Sequence, residues 1–224
     1  MNPIVEEYHI EESDLKNKDI IDIGANVGEF TKLANEWGAR RIYALEPNKK
    51  TYKKLKEAVK EISTVKINNV AVLNSLHQRA KSQDVHNDDN MTASYVETTE
   101  ETNGGSVSVM SLSDVMGKHP QQNSDRFVVK MDVEGSEYDI LYAASSETLQ
   151  KISVLFIEIH QGDDNLVHEQ SSLFNMSALI EYLQMMGFTI QAENSILVWQ
   201  EQNGQRINER VLDTRKIFKF LGPN

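Results

Sequence analysis

Short apolar runs alternate with amphipathic stretches along most of this chain, and that alternation constrains the fold more than any other feature. "DIIDIG" reads as a buried strand and "EFTKLANEWGA" as a helix ending near Gly38. "RIYALEP" is a second strand, stopped by Pro47. "NKKTYKKLKEAVKEI" is a second helix with Asn48 as its N-cap, since a side-chain oxygen there can accept from the first free backbone N–H groups. "TVKINNVAV", "RFVVKMDVEG" and "ISVLFIEIH" follow as strands, with helices from about Ser136 to Ala144 and over "LFNMSALIEYLQMMGF". The tail, from "FTIQAENSILVWQ" to "IFKFLG", suits antiparallel strands with a turn at Asn203-Gly204. Strands that alternate with helices wind into a doubly wound, mostly parallel α/β sheet, and an antiparallel strand at the C-terminal edge is a common addition.

The 224 residues suit one domain spanning 1–224. One stretch breaks the pattern: residues 74–110 are polar and lack helical period, so a loop or hairpin insertion is expected there. Within it "ASYVE" and "SVSVM" alternate like strands, with Asn103-Gly104-Gly105 as the turn between them. Long insertions in compact domains often act as lids over a ligand.

Charge and composition narrow the partners. The net charge of −11 repels phosphate backbones and anionic lipid, so neither nucleic acid nor membrane is an expected partner. The absence of cysteine removes disulfides, thiolate metal sites and a thiol nucleophile. No signal-peptide pattern precedes the first strand and no stretch approaches the roughly 18 apolar residues of a membrane span, so a cytoplasmic location is expected.

"IIDIGANVGEFTKLA" is the first stretch with chemistry in it. In open α/β sheets, ligands sit beyond the carboxyl ends of the strands where the strand order reverses. Gly24 permits a tight turn there, Gly28 lets the first helix pack closely, and Asn26 with Glu29 has capping-box spacing. The stretch is not G-x-G-x-x-G, since Asn26 takes the middle-glycine position and Asp22 stands before the first glycine. A carboxylate at the mouth opposes a pyrophosphate and suits a cationic ligand, such as one bearing a sulfonium and an ammonium group. Glu46 ends the second strand near the offset of the acid that holds a ribose in such folds. A simpler role for Glu46 is an ion pair with Arg40 or Arg41.

"VVKMDVEGSE" puts Lys130, Asp132 and Glu134 on one side of a strand end, and "LFIEIH" ends in Glu158 and His160 at the same period. If these strands are neighbours, the four acid and imidazole groups converge. Crowded carboxylates raise one another's pKa and that of a nearby histidine, which yields candidate proton acceptors near neutral pH. No metal is expected, although such oxygen ligands also suit magnesium or manganese. His9, His77, His86, His119 and His168 lack ligand-like spacing and read as exposed side chains.

"DIGANVGEFT", "ALEPNKKTYKKLK", "VVKMDVEGSEYDIL" and "LFIEIH" together resemble the successive motifs of the FkbM family of S-adenosylmethionine-dependent methyltransferases. The resemblance implies a seven-stranded, Rossmann-like class I methyltransferase fold with S-adenosylmethionine as cofactor. It implies that Asp22, Gly24 and Gly28, with Asn26 between them, line the methionine end, and that Glu46 holds the ribose. The resemblance also implies that Asn69 and Ala71, after the third strand, lie where the chain passes the adenine. Asp132 would lie near the sulfonium and the acceptor. The implied chemistry is O-methylation of a hydroxyl on a small metabolite, a sugar or a polyketide-like compound. An alcohol needs help losing its proton, and Glu134, Glu158 or His160 would supply it. Two other readings compete: a non-catalytic adenosine-ligand module acting through a protein partner, and a nicotinamide-dependent oxidoreductase, against which the missing glycine counts.

Overall fold

The computed structural model describes residues 2–74, 76, 79–86, 92–98, 106–119, 126–160, 175–195, 200–202, 205–207 and 215–223. Helices α1 (Pro3–Glu7) and α2 (Glu12–Leu15) lead into β1 (Asp19–Ile23), α3 (Glu29–Glu36), β2 (Arg41–Leu45), α4 (Lys49–Val59) and β3 (Val65–Asn68). Four further strands follow: β4 (Val70–Val72), β5 (Arg79–His86), β6 (Thr92–Thr98) and β7 (Ser106–Met110). The alternation then resumes with α5 (Leu112–Lys118), β8 (Phe127–Met131), α6 (Glu137–Ala143), α7 (Ser146–Gln150) and β9 (Ile152–His160). The described chain ends with α8 (Met176–Met185), β10 (Thr189–Ser195), β11 (Gln200–Gln202), β12 (Gln205–Ile207) and β13 (Arg215–Leu221).

Seven strands form the main sheet in the order β10-β13-β9-β8-β1-β2-β3. β9, β8, β1, β2 and β3 are parallel. The C-terminal β13 runs antiparallel to both β9 and β10 at that edge. Every residue of β1 and β8 is buried, which is why these segments are continuous apolar runs broken only by Asp19, Asp22 and Lys130.

The two faces carry separate cores. Ile20, Val128, Val154 and Phe156 pack against Phe30 and Leu33 of α3 and against Tyr8, Ile10 and Leu15 of the N-terminal segment. On the other face Ile21, Val129, Leu155 and Phe218 meet Val115 of α5, Tyr138 of α6 and Leu183 of α8. Asn48 caps α4 as its position predicts, accepting from the N–H groups of Lys50 and Thr51 at 2.9 and 3.1 Å.

The insertion is more sheet than its polarity suggests. "TVKINNVAV" divides at Asn69: β3 stays in the main sheet, and β4 starts a second sheet of order β4-β7-β5-β6. β6 ("TASYVET") and β7 ("SVSVM") do not pair with each other as a hairpin; each is antiparallel to β5, which lies between them. β5 is largely polar, so its pairing rests on backbone groups that residue-type periodicity does not reveal. Positions 103–105 and the turn at 203–204 lie outside the described residues.

His9 is exposed, whereas His119 is half-buried and stacked on Tyr43 with ring centroids 3.6 Å apart. That stacking corrects the expectation of an exposed His119: it ends α5 where the helix meets the ring of β2, a contact made only in three dimensions. The side chains of His77, His86 and His168 lie outside the described residues. Among those residues no helix is long and apolar enough to cross a membrane.

Candidate active site

The strand order reverses between β1 and β8, so the crevice beyond their carboxyl ends is where a doubly wound sheet binds its ligand. Asp22 lies near the end of β1, wholly buried. Its Oδ2 accepts a 2.6 Å hydrogen bond from the Thr31 hydroxyl of α3. Its Oδ1 makes none among the described residues, and the Lys130 ammonium is 3.9 Å away. Burial raises this carboxyl above the ordinary range, while Lys130 and Thr31 oppose the rise.

Gly24 follows with φ +75°, and a Cβ built on it would sit 1.8 Å from the carbonyl oxygen of Asp132. The loop after β1 therefore presses on the end of β8, an approach only glycine allows. Gly28, at φ +89°, lies against α4, where a Cβ would be 2.8 Å from Leu55 Cδ1. Asn26 does not cap α3: Gly28, which has no side chain to offer a cap bond, is the N-cap residue. Asn26 instead takes φ +50° and donates its backbone N–H to Glu46 Oε2 at 2.9 Å. The left-handed turn aims that N–H at the strand-end acid, and the helix begins only afterwards.

Glu46 is buried, and its Oε1 accepts the N–H of Asn48 at 2.7 Å. Burial lifts its carboxyl to about 7, against the two backbone donors. The ion pair with Arg40 or Arg41 does not form, because both arginines hold Asp19 at the amino end of β1. Asn69 donates from Nδ2 to the carbonyls of Glu46 and Pro47, each at 2.9 Å, and so secures the chain around this acid. Ala71 is buried in the small core of the second sheet with Leu73, Ala80 and Val107.

The second half of the crevice comes from β8 and β9. Lys130 is buried and donates to the carbonyl of Gly24 at 3.1 Å and to Asp132 Oδ2 at 3.3 Å. Burial alone would lower its ammonium, but Asp132 and Asp22 turn the net shift upward, so it stays charged. β8 stops at Met131, and Glu134 and Gly135 then turn with φ +52° and +99°. That turn returns the Glu134 carboxylate to 3.3 Å from His160 Nε2, while Glu158 Oε1 lies 3.4 Å from the same nitrogen. Asp132, Glu158 and His160 each offer one atom within 4.8 Å of the others, a set that could also hold a cation.

Glu137, absent from the residues that sequence pattern singles out, is the anchor of this cluster. It is fully buried in the first turn of α6 and bonds His160 Nδ1 at 2.8 Å. The same Oε1 accepts the N–H groups of Gly135 and Val133 at 3.2 and 3.4 Å. Tyr138 adds a 2.8 Å hydrogen bond to the carbonyl of His160. Burial would lower the His160 imidazole, but Glu137 first, then Glu134 and Glu158, raise it well above its ordinary value. These carboxylates thus favour the protonated form of His160.

The sequence matches the family model of the methyltransferase FkbM domain over residues 22–190. The chain belongs to the FkbM methyltransferase family. No curated protein matches it. A Streptococcus mutans protein assigned as a methyltransferase and solved with SAH has a similar fold, at TM-score 0.53 and 12% identity over 99% of this chain and 98% of that one. An rRNA methylase from Streptococcus thermophilus aligns at TM-score 0.50 and 10% identity, over 100% and 98% of the two chains. A Pyrococcus horikoshii protein assigned as an RNA methyltransferase aligns at TM-score 0.52 and 14% identity, over 100% and 85%. These likenesses are of fold.

The FkbM family makes S-adenosylmethionine the cofactor of this methyltransferase. The crevice suits that cation-bearing ligand. Among the described residues the buried Asp22 Oδ1 has no hydrogen-bond donor, and the Glu46 carboxylate keeps lone pairs beyond its two backbone N–H bonds.

Proposed function

We propose that this FkbM protein methylates a hydroxyl on a small metabolite, a sugar or a polyketide-like compound. The carrying observation is the convergence of Glu134, Glu158 and His160 beside Asp132 at the ends of two adjacent strands. Bound with its methionine end at Asp22, Gly24, Asn26 and Gly28 and its ribose at Glu46, S-adenosylmethionine supplies a methyl group on a sulfonium, ready for in-line displacement. Asn69 and Ala71 belong to the adenine side of this reading.

The chain's own residues then have two tasks, alignment of the acceptor and removal of its proton. Glu137, Glu134 and Glu158 favour a proton on His160, whose part in this reading is to donate and orient. Glu158 or Glu134 accepts the proton of the acceptor hydroxyl as its oxygen forms the new bond to carbon. Asp132, held by Lys130, keeps negative charge beside the reacting centre. The net charge of −11 supports a metabolite over a nucleic acid as acceptor.

The test is transfer of labelled methyl from S-adenosylmethionine to a panel of hydroxylated metabolites, with a structured RNA alongside. Label is expected in a metabolite as an alkali-stable ether, reduced about a hundredfold or more by one of Glu158→Gln and Glu134→Gln, the one that removes the base. Label in the RNA alone, or label on a metabolite nitrogen, would overturn the acceptor class.

A further inference from the structure

Tyr8, from the segment between α1 and α2, is buried to 97%, being 3% exposed, yet its hydroxyl makes no hydrogen bond among the described residues. Such an unmet group costs free energy, so it marks a place where something else bonds. Its ring stands edge-on to Phe156, with centroids 6.5 Å apart and planes at 84°. Phe156 is the β9 partner of Lys130 in β8, one pleat before Glu158. The Tyr8 hydroxyl thus approaches the crevice from the face that carries Asp22, Lys130, Asp132 and Glu158. Burial first, then Asp132, Glu158, Glu7 and Asp22, keep the phenol neutral and its proton in place. The segment is held from below, since the buried Lys219 donates to the His9 carbonyl at 3.3 Å and to Asp14 Oδ2 at 2.8 Å.

We propose that the Tyr8 hydroxyl is a cofactor contact, donating its hydrogen bond to the methionine carboxylate of S-adenosylmethionine. The amino-acid end of that cofactor brings an ammonium and a sulfonium, which the acids of the crevice match, and a carboxylate, which they repel. A carboxylate among so many acids needs donors. On this face the structure provides the Lys130 ammonium, already shared with Gly24 and Asp132, and the unused Tyr8 O–H. The N-terminal segment that carries Tyr8 then belongs to the binding site. The inference rests on the reading that the methionine end lies at Asp22 and Gly24.

The experiment is calorimetric titration of wild type and Tyr8→Phe with S-adenosylhomocysteine and with 5′-methylthioadenosine, which lacks the amino-acid end, plus thermal unfolding of both free proteins. Loss of a hydrogen bond to a charged group predicts about ten- to hundredfold weaker binding of S-adenosylhomocysteine by Tyr8→Phe. Binding of 5′-methylthioadenosine should stay within about twofold, since it makes no such bond. The free variant should melt at the wild-type temperature or above, because the change removes an unbonded buried oxygen and keeps the ring. Equal binding of S-adenosylhomocysteine by both proteins would overturn the contact, as would equal loss for both ligands or a lower melting temperature. Failure of the wild type to bind S-adenosylhomocysteine at all would instead remove the cofactor-site reading, and this contact with it.

Discussion

Gly24 and Gly38 form a matched pair for measuring what the β1–β8 crevice requires. Their φ angles are nearly the same, +75° and +77°, so alanine at either meets the same conformational cost, about 1–2 kcal/mol for a Cβ in the left-handed region. Their surroundings differ. An alanine Cβ at position 38 would meet only Lys16 Cγ at 3.8 Å, an ordinary contact with a flexible side chain. At position 24 it would lie 1.8 Å from a backbone carbonyl oxygen, and the chains would have to part by more than 1 Å to reach even 3.0 Å. Overpacking of this kind adds about 1–3 kcal/mol, and the separation also pulls the Gly24 carbonyl away from Lys130. Gly24→Ala should therefore lose about 3–5 kcal/mol in urea unfolding and Gly38→Ala about 1–2 kcal/mol. Only Gly24→Ala should also lose S-adenosylhomocysteine binding, because only its loop borders the crevice. Equal destabilisation by the two variants would refute the close approach of the first loop to β8. Retained binding in Gly24→Ala would show that the approach does not shape the site.

Three further outcomes follow from the buried charges. Glu46 has a folded pKa of about 7 against 4.5 for a free side chain, so the native state binds more protons between those values. Its contribution to stability is complete below about 4.5 and lost as pH rises through about 7, about 3 kcal/mol in all; urea unfolding of wild type against Glu46→Gln across pH 4–8 should show that difference, and a constant offset would contradict it. Glu137→Gln removes the strongest of the influences that raise His160, so the imidazole should titrate lower by NMR and the pH profile of methyl transfer should move with it, at unchanged S-adenosylhomocysteine affinity; an unmoved His160 titration would reduce Glu137 to a packing role. Lys130→Met leaves the buried Asp22 and the nearby Asp132 without their shared cation, and chemical denaturation at pH 7 should register about 3–5 kcal/mol of lost stability, whereas a loss under about 1 kcal/mol would mean the acids are not ionised together.

The sequence alone was enough for the sheet and for the outline of its mouth. β1, β2, β8 and β9 are legible because strands buried on both faces must be apolar throughout, so a polar residue such as Asp22, Lys130 or Glu158 stands out against them. The pairing of Glu158 with His160 is legible through period-two spacing at the end of β9, whereas Glu134 lies beyond the end of β8 at Met131 and reaches them through its left-handed turn, which strand periodicity does not report. Tertiary structure decided which partner each charge keeps. Arg40 and Arg41 are near Glu46 in sequence but go to Asp19, since a strand carries its two ends to opposite edges of the sheet. Asn26 has capping spacing yet turns left-handed and serves Glu46 with its backbone. Glu137 looked like one more acid in a helix's first turn until α6 folded it under His160. Tyr8 carries no local signal at all, and its place beside the crevice comes from the packing of the N-terminal segment on Phe156. Periodicity reports which face a side chain points to, because that is a property of its own strand or helix; which group it meets there depends on chain brought in from far along the sequence.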